Sequence, residues 1–307
     1  MTGSWLFSEN TGRNLENRVG RILHAGENAL AYLSLLSIAV FPFLDVLARH
    51  FFHTDVQHSN EYLIHLVLVA TFLGGMVTSR MKKHLTLSVE VPLKEPLQSV
   101  LCALVQCLCA SITFAFAWSS LAFALNGFEA GAKVGILPLR GVLLVMVLGY
   151  ATMGVRFIIG QERIGRPAVW LAASVLLGSV LGFSSIVQSF AGAGAKPPAV
   201  IAALQAPLQS AIAKAASPLI IVLILSVFFG APIFVALGGA AYLLFARQAS
   251  PLEIMPNQAY NMLTGYSIAA IPMFAVTGFL LSADKAGERL VKFFRAFFAW
   301  FPGGLAV

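Results

Sequence analysis

"LQSVLCALVQCLCASITFAFAWSSLAFAL", residues 97–125, contains no Asp, Glu, Lys, Arg or His. At 1.5 Å per residue, a helix of about 20 residues crosses a hydrocarbon core of roughly 30 Å, and this run is longer than that. Two more runs, 168–190 and 217–246, are equally free of ionisable residues. Residues 138–159 also cross if Arg140 and Arg156 reach outward to the interfaces. Residues 28–48 and 62–79 complete the set. The 307 residues are 58% hydrophobic and 11% charged, with mean hydropathy +0.83, whereas a soluble domain carries about 25% charged residues. These features define an all-α polytopic membrane protein and exclude a water-soluble helical domain.

The net charge of +7 belongs to loops and helix ends. There is no dense basic patch interleaved with aromatics, so nucleic acid is not a partner. Residues 1–26 carry Arg13, Arg18 and Arg21 without a cleavable leader pattern. Leu15, Val19, Ile22 and Leu23 share one helical face, which predicts an interfacial helix on membrane lipid feeding the first span. Lys and Arg mark cytoplasmic ends. The N-terminal arginines, "SRMKKH" (79–84), and Arg156, Arg163 and Arg166 therefore place a four-span unit, residues 27–165, with both ends in the cytoplasm.

Residues 166–212 read as a fifth, linking span followed by an Ala/Gly/Pro-rich stretch that is either an external connector or a short interfacial helix. Residues 213–307 form a second module. In its span, 217–246, Gly230 and Pro232 lie near the middle. A proline there frees a backbone carbonyl and predicts a kink, which serves either helix packing or the lining of a site. Gly238 and Gly239 flatten one surface for close packing. Alternation puts Arg247 on the cytoplasmic side, with 251–266 lying along that surface. Residues 267–281, interrupted by Pro272, form a short tilted or re-entrant segment. Residues 284–300 are amphipathic and predict an interfacial helix, which Pro302, Gly303 and Gly304 terminate.

No catalytic or phosphate-binding motif is present, and the reading is of a protein that is not an enzyme. Cys102, Cys107 and Cys109 share one apolar span without His, Asp or Glu beside them, so no metal site is expected. Asp45, Arg49 and Glu61 lie at the outer ends of the first two spans. They either pin those helices together or belong to a partner-docking surface. His84 caps the basic loop.

Two sets of motifs carry a family resemblance. "DVLARHFF" (45–52), Glu61 opening the second span, and "FLGGMVTSRMKKHLTLSV" (72–89) resemble the small membrane subunit of the tripartite ATP-independent periplasmic (TRAP) transporters. "FFGAPIFVALGGAAYLLF" (228–245), "SIAAIPMFAVTGFLL" (267–281) and "ERLVKFFRAFFAWFPGGLAV" (288–307) are similar to the opening of the large subunit. The resemblance implies a fused permease that ends early in its large subunit, with residues 213–307 as the scaffold start of an elevator-type domain. It implies sodium-coupled import of small organic acids across the bacterial inner membrane, with a periplasmic solute-binding protein as partner. Sodium is expected only for the complete transporter, and no other cofactor is implied. The alternative is a non-transporting scaffold or inactive remnant that needs a separate large-subunit fragment.

Overall fold

The computed structural model describes residues 5–54, 57–87, 95–129, 131–159, 167–192, 194–248, 250–283 and 285–298. The described elements, in order, are helices α1 (Trp5–Phe52), α2 (Ser59–Arg80) and α3 (Glu95–Asn126). A two-stranded hairpin follows, β1 (Lys133–Val134) paired antiparallel with β2 (Leu137–Pro138). Then come α4 (Leu139–Ile159), α5 (Pro167–Leu181), α6 (Phe183–Gly192), α7 (Ala199–Ser226) and α8 (Ile233–Arg247). The last three are α9 (Ile254–Leu263), α10 (Tyr266–Ala283) and α11 (Ala286–Phe298). Among the described residues five helices are long and apolar enough to cross a membrane, and α5 with α6, taken together as one broken span, makes six.

Helix α3 is the hub. It packs against α4, α5, α6, α8 and α9, and it buries Cys109, Ala110, Ile112, Ala115 and Ala122 almost completely. A helix that is apolar all round belongs where every face meets protein. Between helices in lipid there is no hydrophobic drive to associate, so close backbone approach and packing hold them together. Gly178 and Gly182 of the linking span supply that approach. A Cβ at Gly178 would stand 2.6 Å from Phe114 Cβ and 2.7 Å from the Ser111 carbonyl, and one at Gly182 would stand 3.1 Å from Trp118 Cβ.

At Gly182 the chain also bends, by 70° between α5 and α6. Backbone bonding continues through the bend: the Gly182 amide donates to the Gly178 carbonyl at 2.9 Å, and the Ile186 amide to the Gly182 carbonyl at 3.0 Å. The fifth span, read from the sequence as one helix over 168–190, is therefore broken at Gly182.

The second module departs further from the sequence expectation. Residues from Ala199 onward, read as an external connector or a short interfacial helix, form the first half of the long helix α7, which carries Pro207 and Pro218 inside it. The break at Gly230 and Pro232 is a reversal of chain direction, not a mid-span kink. After α7 comes a single 3-10 turn, Val227–Phe229. Gly230 then takes φ +92°; its amide donates to the Val227 carbonyl at 3.2 Å, and the Ala231 amide to the Ser226 carbonyl at 3.0 Å. This pair of bonds terminates a helix through a left-handed residue, which favours glycine. Pro232 caps the start of α8, ahead of its first helical residue, where a missing donor costs nothing.

Helix α8 folds back along α7. Leu223 lies beside Gly239, and Arg247 Nη1 donates to Ser217 Oγ at 3.2 Å. The reversal moves everything after it to the other side of the bundle. Arg247 and α9 lie at the end that carries Glu61 and Asn126, while the hairpin tip lies at the end that carries Arg80 and Arg156. Alternation puts Arg247 on the basic side because it counts the helix break as a kink inside one crossing.

At the start of the chain, the backbone from Trp5 runs through to Phe52 as one helix; of the four residues behind the interfacial reading of 1–26, Ile22 and Leu23 are exposed, while the side chains of Leu15 and Val19 lie outside the described residues. Pro302, Gly303 and Gly304 also lie outside them.

Candidate functional site

The polar groups that connect distant parts of the chain gather along the seam between the two modules, at three depths. At the basic end, the loop after α2 docks on the hairpin tip. The Ile233 amide donates to the Leu85 carbonyl at 3.0 Å, and Thr86 bridges Pro232. The loop after α2 thus gives one of the backbone donors at the start of α8 a partner from the first module. The His84 ring lies between Phe157 of α4 and Phe234 of α8, at centroid distances of 5.7 and 5.3 Å. Burial among these rings holds its imidazole below the ordinary 6.5, because the charged form loses water there.

At mid-depth, three hydroxyls from three elements meet. Ser119 Oγ of α3 lies 3.0 Å from Ser185 Oγ of α6 and 3.0 Å from Tyr242 Oη of α8, and all three residues are essentially inaccessible to solvent. Hydroxyls buried away from water must find partners; Ser119 Oγ also reaches the Ala115 carbonyl of its own helix at 3.1 Å, while the register of α3, α6 and α8 brings the Ser185 and Tyr242 hydroxyls to it. Gly238 and Gly239 bring α8 close enough. A Cβ at Gly238 would stand 3.0 Å from Phe116 Cζ, and one at Gly239 would stand 3.1 Å from both Ile112 Cγ2 and Leu223 Cδ1.

At the far end, Asn126 Nδ2 donates to the Gln188 carbonyl at 3.1 Å and to Glu253 Oε1 at 3.3 Å. Burial pushes the Glu253 carboxyl upward, and the Asn126 amide opposes that shift. His65 of α2 meets Tyr260 of α9. Its Nδ1 lies 2.7 Å from the Glu61 carbonyl, so Nδ1 carries the proton; Nε2, at 2.9 Å, accepts from the Tyr260 hydroxyl, because a carbonyl can only accept.

Within the first module, Glu27 of α1 lies between two arginines. Its carboxylate is 3.1 Å from Arg80 Nη1 of α2 and is also paired with Arg156 Nη2 of α4. Arg80 further donates to the His24 carbonyl and Asn28 Oδ1, and Arg156 to the Met76 carbonyl. A β-turn at the opposite end completes the frame. Gly135 has φ +56°, and a Cβ there would stand 1.8 Å from Tyr62 Oη, which accepts the Ile136 amide at 3.0 Å.

The residues singled out in the sequence fall as follows. Asp45 is buried and pairs with Arg49 one turn on, at 2.8 Å, while Glu61 pairs with His58 at 3.0 Å; the Asp45 and Glu61 carboxylates therefore join separate pairs. His84, Pro232, Gly238 and Gly239 lie on the seam, and Gly230 forms the turn beside it. Pro272 sits inside α10. Glu27, Tyr242, Tyr260, Gly135 and the Gly178–Gly182 spacing escaped the sequence reading. Only the last had a local signal, two glycines one helical turn apart in an apolar run.

Among the described residues no three His, Cys, Asp or Glu side chains gather to hold a metal. The paired hydroxyls, amides and carboxylate of the seam hold elements in register; no general base stands poised beside a nucleophile. The class this defines is a two-module helical membrane protein, with a hairpin of the second module packed onto the helix bundle of the first.

The comparisons agree with both halves. Residues 38–166 match the family described as tripartite ATP-independent periplasmic transporters, DctQ component, and residues 220–307 match the DctM component. The chain belongs to the TRAP transporter permeases, with both components in one polypeptide. The C4-dicarboxylate TRAP transporter large permease protein DctM of Vibrio cholerae serotype O1 is 33% identical over 81 residues, which is 25% of this chain and 18% of that protein. The chain thus covers less than a fifth of the length of that relative.

Proposed function

We propose that residues 1–307 form the static frame of a sodium-coupled, binding-protein-dependent permease for small organic acids in the bacterial inner membrane. In this reading the basic end, with Arg80, Lys82, Lys83 and Arg156, faces the cytoplasm, as the Lys/Arg bias favours. The end with Glu61, Asn126 and Glu253 faces the periplasm, where a solute-binding protein delivers its cargo. The observation that carries the proposal is the clamp of the second module onto the first at three levels: the hairpin tip on the loop after α2, Tyr242 of α8 on Ser119 of α3, and Glu253 before α9 on Asn126 of α3. A clamped hairpin cannot travel relative to the first module, so it serves as the fixed partner against which a mobile unit moves. The solute and sodium sites belong to DctM sequence outside the segment matched here.

The test is reconstitution into proteoliposomes with an imposed sodium gradient, labelled C4-dicarboxylate and other small acids, and a cognate binding protein. Uptake is expected only when the remainder of a DctM-type subunit is supplied. Sodium-dependent uptake by residues 1–307 alone would overturn the frame assignment. A second reading, a scaffold that supports no transport, is distinguished by absence of uptake even with that remainder and a binding protein present.

A further inference from the structure

Helix α11 presents an apolar face that no part of the described chain covers. Leu290, Phe293, Phe294, Phe297 and Phe298 fall on one side at 100° per residue, and all five are exposed, Phe293 by 61% and Phe297 by 60%. The phenylalanines are already ordered into two ladders. Phe293 stacks on Phe297 with a 19° interplanar angle, and Phe294 on Phe298 with 17°, as i,i+4 neighbours on a helix do. The opposite side carries Arg289, Lys292 and Arg295 against one carboxylate, Glu288.

What precedes α11 fixes where this face can go. Helix α10 begins beside α9 at the Glu61 end, and Ile268 and Met273 pack against Ile38 and Val67. Its 18 residues rise about 27 Å, so it delivers the chain to the neighbourhood of the opposite interface. Only two residues separate α10 from α11. A helix tethered there, with an aromatic apolar face and a cationic polar face, lies at the depth of the lipid headgroups.

We propose that α11 is an anionic-lipid-binding helix. Its phenylalanine ladders insert into the acyl boundary, and Arg289, Lys292 and Arg295 engage phosphate-bearing acidic headgroups. Lipid headgroup charge thereby sets how firmly the end of the frame is held in the membrane plane. Zwitterionic lipid supplies the apolar contact without the electrostatic one, so the seating depends on acidic lipid content.

The experiment uses the full chain in nanodiscs of phosphatidylcholine, with or without phosphatidylglycerol. In a background with Cys102, Cys107 and Cys109 replaced by Ala, a nitroxide is placed by Phe294→Cys or Arg295→Cys, and its collisions with oxygen and with a nickel chelate are measured. With phosphatidylglycerol, position 294 is expected to be rich in oxygen and shielded from nickel, and position 295 the reverse. Combining Phe294→Cys with Lys292→Glu should reduce the nickel shielding at 294 by about fivefold, while a label at Leu30→Cys on the lipid-exposed face of α1 stays shielded and reports an intact fold. The chain with native cysteines gives an independent reading: tryptic cleavage at Arg289, Lys292 and Arg295 should slow when phosphatidylglycerol is present. Nickel access at 294 and cleavage rates that ignore phosphatidylglycerol would overturn the proposal. So would loss of both oxygen and nickel access at 294, which marks coverage by protein, such as a second copy of the chain.

Discussion

Replacing Glu27 by Gln removes a carboxylate that ties α1 to Arg80 of α2 and Arg156 of α4. Glu27 is 14% exposed, Arg80 20% and Arg156 17%, so solvent screens these pairs little. At 3.1 Å and an effective dielectric near 20, a single pair attracts by about 5 kcal/mol before desolvation is counted. Removing one partner of a buried pair costs about 3–5 kcal/mol, because the charge left behind has lost both water and its counter-ion. Here two guanidiniums are left facing one another. Each keeps other acceptors, Arg80 the His24 carbonyl and Asn28, and Arg156 the Met76 carbonyl, which puts the expected loss at the lower end, about 3 kcal/mol. The assay is equilibrium unfolding in mixed micelles, read by tryptophan fluorescence, for Glu27→Gln, Arg156→Gln and the double variant. The double variant should be less destabilised than the sum of the singles by at least about 1 kcal/mol. A Glu27→Gln variant within about 0.5 kcal/mol of the parent, or additive effects in the cycle, would show that the cluster does not hold the bundle.

Four further outcomes follow from the seam and the turns. Single cysteines at Glu61 and Asn261 should react with an impermeant maleimide from the same side of the membrane, and a cysteine at Lys82 from the other; reaction of position 261 together with 82 would restore the crossing that the hairpin replaces. Tyr242→Phe leaves the Ser119–Ser185 bond intact and should cost about 1 kcal/mol, whereas Tyr242→Ala opens a cavity and should cost about 3–5 kcal/mol; equal losses in the unfolding assay would remove the hydroxyl node as a distinct contribution. Gly135→Ala combines a positive φ, worth about 1–2 kcal/mol, with overlap on Tyr62. It should lower the melting temperature, with partial recovery in a Tyr62→Ala background. His84 has its folded-state value below 6.5, so between that value and 6.5 the unfolded chain binds the proton that the folded chain refuses. Stability from this group is complete above pH 6.5 and declines as pH falls below it, and His84→Phe should flatten that part of a melting-temperature profile.

Membrane class, the positions of most long helices and the amphipathic end were legible in the sequence because partition into lipid is close to a one-body property. Each residue of 97–125 contributes its own transfer energy, and the sum decides without reference to any neighbour. The hairpin was partly legible as well: Gly-Ala-Pro at 230–232 is a helix stop followed by a helix start, but in a long apolar run it also fits a kinked crossing, and hydropathy is blind to direction. Only the tertiary structure decided between them, through Leu223 against Gly239 and Ile233 against Leu85. The same holds for Glu27, which lies 53 residues from Arg80 and 129 from Arg156 in sequence, and for the Ser119–Ser185–Tyr242 node. Asp45 with Arg49 could be read locally because one helical turn sets their distance, whatever the rest of the chain does. A pairing between separate helices is fixed by which surfaces interlock, and that is settled by steric fit across the whole bundle: glycines at 178, 182, 238 and 239 that admit a neighbour, and hydroxyls that accept only the register in which each finds a partner.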